Sequence, residues 1–566
     1  MAILGIDLGT TNSLAAVWQD GKPVLIPNAF GEYLTPSVVG VDDNGSVIVG
    51  KVAKERLVSH PDKTLASFKR YMPYDRQLML GDRPVTPAVL SSFVLRRLKE
   101  DAEQFLGEPI EEAVISVPAY FDDNGRNATK LAGELAGLRV ERIVNEPSAA
   151  AFYENYQEPE EKTLLVFDFG GGTLVFSVVD IFHPIIEIIS VAGDNQLGGD
   201  DFNRVIAQYF CHVNGLRFDA LTGEQQAIIL KQSELCKIAL TTNPKAAMLA
   251  NINGRAYSMV LDNRTLFAIA GELFKRIEAP IVRAVRDAKI TLDEIDEVLL
   301  VGGSSQMPVV RSFLEELLSF DVTLSPSANS AIAKGTAVAA AIKARTPEIK
   351  NMILTDLCPF SLGIRLFNNA EEENGLFYPM IERNTTLPAS REHRFFTVAD
   401  GQEEIAVKIA QGEKYYFDKN LYLGELTLEV PPGPAGQESV LVRFTYDING
   451  IIQVDVTVES TGLTKSKMII NPSIRLDEEG LRKKLEELSH IKVHPREQET
   501  NRLLLARADA LFEEATGTMR EDVMDKKQLF EHTLATQDAR LIRNAQQQFD
   551  RYLTQLEGYF SNPFGF

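Results

Sequence analysis

Two stretches of this chain share one layout: an apolar strand, an aspartate, a glycine turn with threonine, and a second apolar strand. Leu164 to Val179 reads Leu-Leu-Val-Phe-Asp-Phe-Gly-Gly-Gly-Thr-Leu-Val-Phe-Ser-Val-Val, and Ala2 to Val17 sets Asp7-Leu8-Gly9-Thr10-Thr11-Asn12-Ser13 between apolar runs. Each predicts a β-hairpin with an acid, glycine and a hydroxyl at its tip. Glycines without Cβ let backbone N–H groups close around an anion, and Asp168 can hold the hard cation that accompanies a polyphosphate. Thr173 adds a hydroxyl donor. One such tip alone reads as an ordinary turn needing positive φ. Two copies predict duplicated α/β lobes, each offering an Asp-Gly hairpin to a cleft between them.

Strand and helix alternate through the first part of the chain. Glu111 to Val117 runs as a buried strand into Pro118, and Asn127 to Leu138 has helical spacing at Leu131, Leu135 and Leu138. Val140 to Ala151 repeats strand then helix, with Pro147 suited to a first helical position and Glu146 readable as a cap. Lys69-Arg70, on local grounds, reads as a solvated basic pair. A Gly-rich loop at Gly198-Gly199 enters a helix, Gln225 to Leu240 is helical, and the strand Glu297 to Val301 ends in Gly302-Gly303-Ser304. Ligands usually meet such glycine turns at the C-terminal ends of α/β strands.

The alternation stops near Pro347. The apolar segment around Met352-Ile353-Leu354 reads as a linker, and its apolarity predicts that it docks on a surface in at least one state. Beyond it the pattern is all-β: Ile405, Val407 and Ile409 alternate, as do Leu426, Leu428 and Val430, and Ser439–Tyr446 pairs across Asn449-Gly450 with Ile452–Val458. That predicts an antiparallel sandwich ending near Pro472. From Asp477 the spacing turns helical, as at Leu481, Leu485 and Leu488, then Leu503, Leu504, Ala508, Leu511 and Phe512, predicting a helical bundle or lid. The expected domains are 1–348 (α/β), 349–355 (linker), 356–471 (sandwich) and 472–566 (helices).

At 566 residues the chain is too long for one core, and its net charge of −21 argues against nucleic-acid or anionic-membrane partners, which need clustered Lys and Arg. Three cysteines without a CxxC pair support neither a disulfide framework nor a thiolate zinc site. With no basic n-region before Ala2-Ile3-Leu4 and no long apolar span, a reducing, cytoplasmic setting is expected.

Gly5–Ser13, Val117-Pro118-Ala119-Tyr120-Phe121, Asn145–Ala150, Asp168–Thr173 and Val301–Ser304, in this order, resemble the signatures of the seventy-kilodalton heat-shock chaperones of DnaK type. Ile353-Leu354-Thr355-Asp356 before Cys358-Pro359, with Ile381–Thr386 and Tyr446–Gly450, resembles the bacterial HscC type within it. The resemblance covers essentially the whole chain. It implies an actin-like duplicated α/β ATPase domain, a β-sandwich peptide-binding domain and a helical lid. It implies that Thr10 and Thr11 contact phosphate, within a cofactor site of Asp7, Gly9, Asn12, Gly170, Gly171, Gly172, Gly198 and Gly199. Asp7, Glu146 and Asp168 would organise hydrated Mg2+, Lys69 would reach the γ-phosphate and position water, and Thr173 would touch that phosphate. Glu234, Lys237, Gly302, Gly303 and Ser304 match the adenosine pocket, with ATP or ADP as the cofactor and K+ as a further candidate ion.

In the sandwich, Phe367 and Val398 match the pair arching over an extended apolar peptide, and Ile364, Leu366, Phe395, Ile405 and Val407 match the pocket wall. Sandwich core is the competing reading, evenly balanced for Val407. Arg142, Asn145 and Asp356, with the linker residues Met352, Ile353 and Leu354, match positions where a J-domain cochaperone and the linker dock, and a nucleotide exchange factor is a further expected partner.

Three departures stand out. Val175 occupies a position where the family keeps an acid, Ile238 replaces an arginine that stacks on adenine, and an aspartate near the adenosine pocket is replaced by Asn329 or Ser327, depending on register. Asn368 to Asn374 resembles an inserted loop beside the peptide arch. The leading expectation is therefore an ATP-driven peptide-binding chaperone; the alternative is a peptide holder with very weak or absent hydrolysis.

Overall fold

The computed structural model describes residues 2–156, 161–182, 185–347, 349, 353–366, 375–447, 450–469 and 495–561. Met1–Pro359 forms one compact unit and Phe360–Phe566 a second.

The first unit contains two sheets of like topology. In one, β1 (Ile3–Asp7), β2 (Asn12–Gln19), β3 (Lys22–Ile26), β4 (Glu112–Val117) and β5 (Arg139–Asn145) lie in the order β5-β4-β1-β2-β3. In the other, β6 (Lys162–Phe169), β7 (Leu174–Phe182), β8 (Ile185–Asp194), β9 (Glu297–Val301) and β10 (Val322–Leu324) lie in the order β10-β9-β6-β7-β8. The senses match strand for strand: the first three of each sheet are antiparallel and the last two join parallel to the first. The duplication expected from the two hairpins is thus a duplication of topology. Near-continuous burial along β6 marks a sheet covered on both faces.

The helices that matter to the site are α1 (Asp123–Leu135), α2 (Glu146–Asn155), α3 (Gly199–Val213), α4 (Gly223–Ala239) and α5 (Ala331–Lys343). Helix α5 crosses α2 so closely that a Cβ on Gly335 would lie 1.7 Å from the Ala149 carbonyl oxygen. Only glycine permits that approach. At the far end of α2, Tyr156 meets Trp18 of β2 edge to face at 5.7 Å.

Strand β11 (Ile353–Leu357) adds to the second sheet, parallel to β8, with Ile353 opposite Ile185 and Leu354 opposite Ile186. Residues 353–355 are therefore joined by backbone pairing to the second sheet of the first unit, and Ile349 ahead of them is buried. Met352 lies outside the described residues.

In the second unit, β12 (Leu362–Leu366), β13 (Leu376–Ile381), β15 (Glu404–Gln411) and β16 (Leu421–Glu429) form one antiparallel sheet in the order β13-β12-β15-β16. Strands β14 (Ala389–Phe396), β17 (Ser439–Tyr446), β18 (Ile452–Val458) and β19 (Thr464–Ile469) form the other, in chain order. Helices α6 (Glu499–Glu514), α7 (Thr518–Ala535) and α8 (Ala539–Ser561) follow and share a core that includes Leu504, Ala508, Leu511, Phe530 and Leu553. No helix among the described residues is long and apolar enough to cross a membrane.

Three details differ from expectation. Helix α1 starts and ends earlier than 127–138, and Leu131 and Leu135 are exposed at 39% and 42%. It packs through small residues instead, since a Cβ on Gly133 would sit 2.3 Å from Val140 Cγ2. Leu503 is exposed while Leu504, Ala508 and Leu511 carry the helical core. Leu481, Leu485 and Leu488, Asn449, Phe367 and the Asn368–Asn374 loop lie outside the described residues.

Candidate functional site

The cleft forms where the two hairpin tips meet. A Cβ on Gly171 would fall 2.2 Å from Thr11 Cγ2, and one on Gly172 would fall 2.3 Å from Thr10 Cγ2. The glycine backbone of one tip therefore packs against the threonine side chains of the other, in space that a Cβ would fill. The Gly198-Gly199 turn closes behind it: Gly199 N–H donates to Gly170 O at 3.0 Å and Asp200 N–H to Gly171 O at 2.9 Å. The resulting cavity, about 550 Å3, is lined by Asp7, Gly9, Thr10, Thr11, Asn12, Lys69, Glu146, Asp168, Gly170, Gly171, Thr173, Glu234, Lys237, Gly302, Gly303 and Ser304. Of the residues expected at the nucleotide, only Gly172, Gly198 and Gly199 stand behind this lining.

At the hairpin end, each carboxylate is delivered by the terminus of a secondary element. Asp7 ends β1, Asp168 lies next to the end of β6, and Glu146 opens α2, while Lys69 lies in the short turn Phe68–Tyr71. Lys69 Nζ donates to Glu146 Oε1 at 2.6 Å, with both side chains nearly inaccessible. Glu146 is thus more than a helix cap, and Lys69 is not solvated. Ser116 Oγ donates to Asp7 Oδ1 at 3.1 Å.

Three buried carboxylates face one ammonium. Burial, then repulsion from Glu146, pushes Asp7 up to about 7, with Lys69 and Ser116 pulling the other way. Burial, then Glu146 and Asp7, holds Asp168 well above the usual carboxylate range. Such a donor set suits a hard divalent cation. Among the described residues no three His, Cys, Asp or Glu side chains converge enough to ligate one ion directly, so these carboxylates would act on a metal's water shell.

An acid held protonated in the folded state contributes stability that is full below its unfolded pKa and lost as pH rises through its folded pKa. With Asp7 at about 7, melting of the metal-free protein is expected to fall between the ordinary carboxylate range and about pH 7. Mg2+ should restore it and release protons below that pH. Calorimetry in buffers of different ionisation enthalpy checks this; proton-free Mg2+ binding at pH 6 would refute it.

The opposite end of the cleft pairs its charges. Lys237 Nζ donates to Gly199 O at 2.9 Å, Glu234 pairs with Lys54 at 3.1 Å, and Ser304 Oγ donates to Gly170 O at 2.7 Å. Burial lowers the Lys237 ammonium, against the pull of Asp200 and Glu234. Ile238 lines the cavity, half-exposed, and so do Gln306 and Asn329. Of the two residues left open by register, Asn329 reaches the cavity; Ser327 turns away to the hydroxyl of Tyr153 and to Lys334. Asp200, Asn203 and Gln306 also line the cleft, unassigned by sequence reasoning. Asp200 directly follows Gly198-Gly199, which could have drawn notice; Gln306 gives no local signal.

Arg142, Asn145 and Asp356 come together. Asn145 Nδ2 donates to Asp356 Oδ1 on the docked strand, and Asn145 Oδ1 accepts from Arg126 Nη2 at 2.6 Å. Burial raises the Asp356 carboxyl and lowers the Arg142 guanidinium. Asn145 directly precedes Glu146, so strand β11 is joined by a hydrogen bond to the residue beside the buried Lys69–Glu146 pair. Arg126, the fourth member, went unread in the sequence.

In the sandwich, Ile364 stands opposite Ile409, and Val407 and Ile405 follow Ile409 on the same face of β15. Burial declines along that face, from Ile409 and Val407 to half-buried Ile405, and Leu366 is also half-buried. Ile364 and Val407 therefore sit in the core, at its opening end. Phe395 on β14 packs edge to face on Tyr378 at 5.6 Å, and Val398 is 69% exposed just beyond the strand.

Comparison with known proteins gives a family model, Hsp70 protein, matching residues 3–558. A chaperone protein DnaK from Thermotoga neapolitana is 37% identical over 92% of this chain and 88% of its own. Those of Thermotoga petrophila and Thermotoga maritima are 36% identical over the same shares.

Proposed function

The chain belongs to the Hsp70 family, and on that premise we propose that the cleft between the hairpin tips is its ATP site, with Lys69, Glu146, Asp168 and Thr173 carrying hydrolysis. The protein is an ATP-dependent chaperone that binds client peptides, an ATPase that uses ATP with Mg2+ and forms ADP. What supports the residue assignment above all is the buried Lys69–Glu146 pair set where the two glycine tips meet.

In this reading Gly9 to Asn12 and Gly170 to Gly172, backed by Gly198 and Gly199, hold the polyphosphate through backbone N–H groups. Glu234, Lys237, Gly302, Gly303 and Ser304 hold the adenosine. Lys69 fixes the attacking water against the γ-phosphorus while Glu146 fixes Lys69; water oxygen bonds to phosphorus as the bond to the ADP oxygen breaks. Mg2+, when bound, neutralises the charge that develops on the phosphoryl group. Thr173 supplies a hydroxyl to the same phosphate.

Val175 bears on rate and on K+. It is fully buried among apolar neighbours, while Ser177 on the same strand face and Ser148 on α2 bury hydroxyls without hydrogen-bond partners. Valine there offers no oxygen to a K+ site, and we expect slow turnover that is indifferent to K+. The domain limits 1–348, 349–355, 356–471 and 472–566, the HscC-type affinity and a cytoplasmic setting belong to the same proposal.

Extended apolar segments would enter at the Ile405 end of the sandwich, beside Leu366, Phe395 and Val398, with Phe367 completing the arch. Arg142, Asn145 and Asp356 would receive a J-domain cochaperone and couple strand β11 to Glu146, and an exchange factor would act on the nucleotide. ATP should speed release of a labelled apolar peptide by about 5- to 150-fold over ADP, the usual span of coupling between sites. Stopped-flow release rates check this. Equal rates in both nucleotides would leave a holder rather than a coupled machine.

A further inference from the structure

The phosphate end of the cleft is charged and glycine-lined, but the far end, beyond Lys237, presents Ile238, Thr241, Thr242, Gln306 and Asn329, none of them charged. Within that end two amides are bonded to each other: Gln306 Nε2 donates to Asn329 Oδ1 at 2.9 Å. That bond leaves Gln306 Oε1 to accept and Asn329 Nδ2 to donate, on two side chains joined to each other. An acceptor beside a donor complements the edge of adenine, which offers an amine N–H beside a ring nitrogen.

We propose that the Gln306–Asn329 amide pair reads the edge of the nucleotide base and determines specificity for it. The inference rests on the reading of the cleft as the ATP site and adds which residues discriminate the base.

The pair is held in place from behind. Gly302 N–H donates to Ala328 O at 2.9 Å, tying the Asn329 loop to the end of β9. Ser325 Oγ donates to Glu154 Oε1 at 2.5 Å, and Lys334 Nζ donates to the Tyr153 hydroxyl at 3.1 Å and to Ser327 Oγ at 3.2 Å. Tyr153 and Glu154 belong to the last turns of α2, the helix that opens with Glu146. They are positioning residues: one helix carries the catalytic carboxylate at its start and anchors the base-reading loop near its end. Ile238, half-exposed, would supply an apolar surface for the flat of the ring.

The test compares ATP with purine riboside triphosphate, which lacks only the N6 amine, by calorimetric binding to the full chain and to Gln306→Leu/Asn329→Leu. Both positions lie at the cavity rim, and melting curves verify that the variant folds. The unaltered chain should bind ATP about 3- to 10-fold more tightly than the amine-free nucleotide, the usual worth of one or two neutral hydrogen bonds. In the variant that ratio should fall to about 1. The same ratio in both chains would overturn the assignment of the amide pair. Failure of the unaltered chain to bind either nucleotide would instead overturn the reading of the cleft.

Discussion

Replacing Lys69 by alanine should slow single-turnover ATP hydrolysis by about 10^2- to 10^3-fold, the usual cost of removing one preorganised charge-stabilising donor. Lys69 is 2% exposed, and its ammonium lies 2.6 Å from Glu146 in a site with two further carboxylates. Without it, water near the γ-phosphate loses its fixed donor, and Glu146, Asp7 and Asp168 lose the buried ammonium they share. Lys69→Arg should not restore the rate, because a planar fork cannot replace a compact ammonium in a closed space. Nucleotide binding, followed by calorimetry, should survive, since the glycine tips and Ser304 are untouched. Hydrolysis within threefold of the parent rate would remove Lys69 from the mechanism.

The second large effect is expected far from any ligand. Gly335→Ala would place a methyl group 1.7 Å from the Ala149 carbonyl oxygen and 2.4 Å from its carbon, both backbone atoms that cannot swing away. Helices α5 and α2 would have to part. Overpacking ordinarily costs about 1–3 kcal/mol, and a clash between two backbones lies at or above the top of that range. Thermal melting of the first unit should fall by roughly 4 °C or more, since a unit this long has a large unfolding entropy. Because α2 begins with Glu146, hydrolysis should weaken even at temperatures where the variant is folded. Gly271→Ala serves as control, since a Cβ there meets nothing within 4 Å, and it should leave melting nearly unchanged. An unshifted Gly335→Ala transition would disprove the close crossing.

Much of this was legible because the informative residues are local. Asp7 and Asp168 announce themselves through the glycines beside them, and the alternation of β15 to β18 follows directly from side chains facing two sides of a strand. Glu146 was legible only in part: at a helix start it reads as a cap, and its partner lies on a separate turn of the chain. The same distance hid Arg126, whose bond to Asn145 no spacing rule predicts. Leu131 and Leu135 misled for another reason. Their helical spacing is real, but α1 approaches Val140 through Gly133, so the small face is the buried one and the leucines turn outward. The amide pair at the base end has no sequence signature, since Gln306 and Asn329 become neighbours only through the fold.

Trp18 is the sole tryptophan of the chain, and its ring rests against Tyr156 at the end of the helix that Glu146 begins. Its emission therefore comes from a single site, and that site is the tail of the catalytic helix. Excited at the red edge, where the tyrosines do not absorb, its fluorescence thus gives an optical record of the end of α2 against β2, with no dye attached, whenever nucleotide enters or leaves the cleft at the other end.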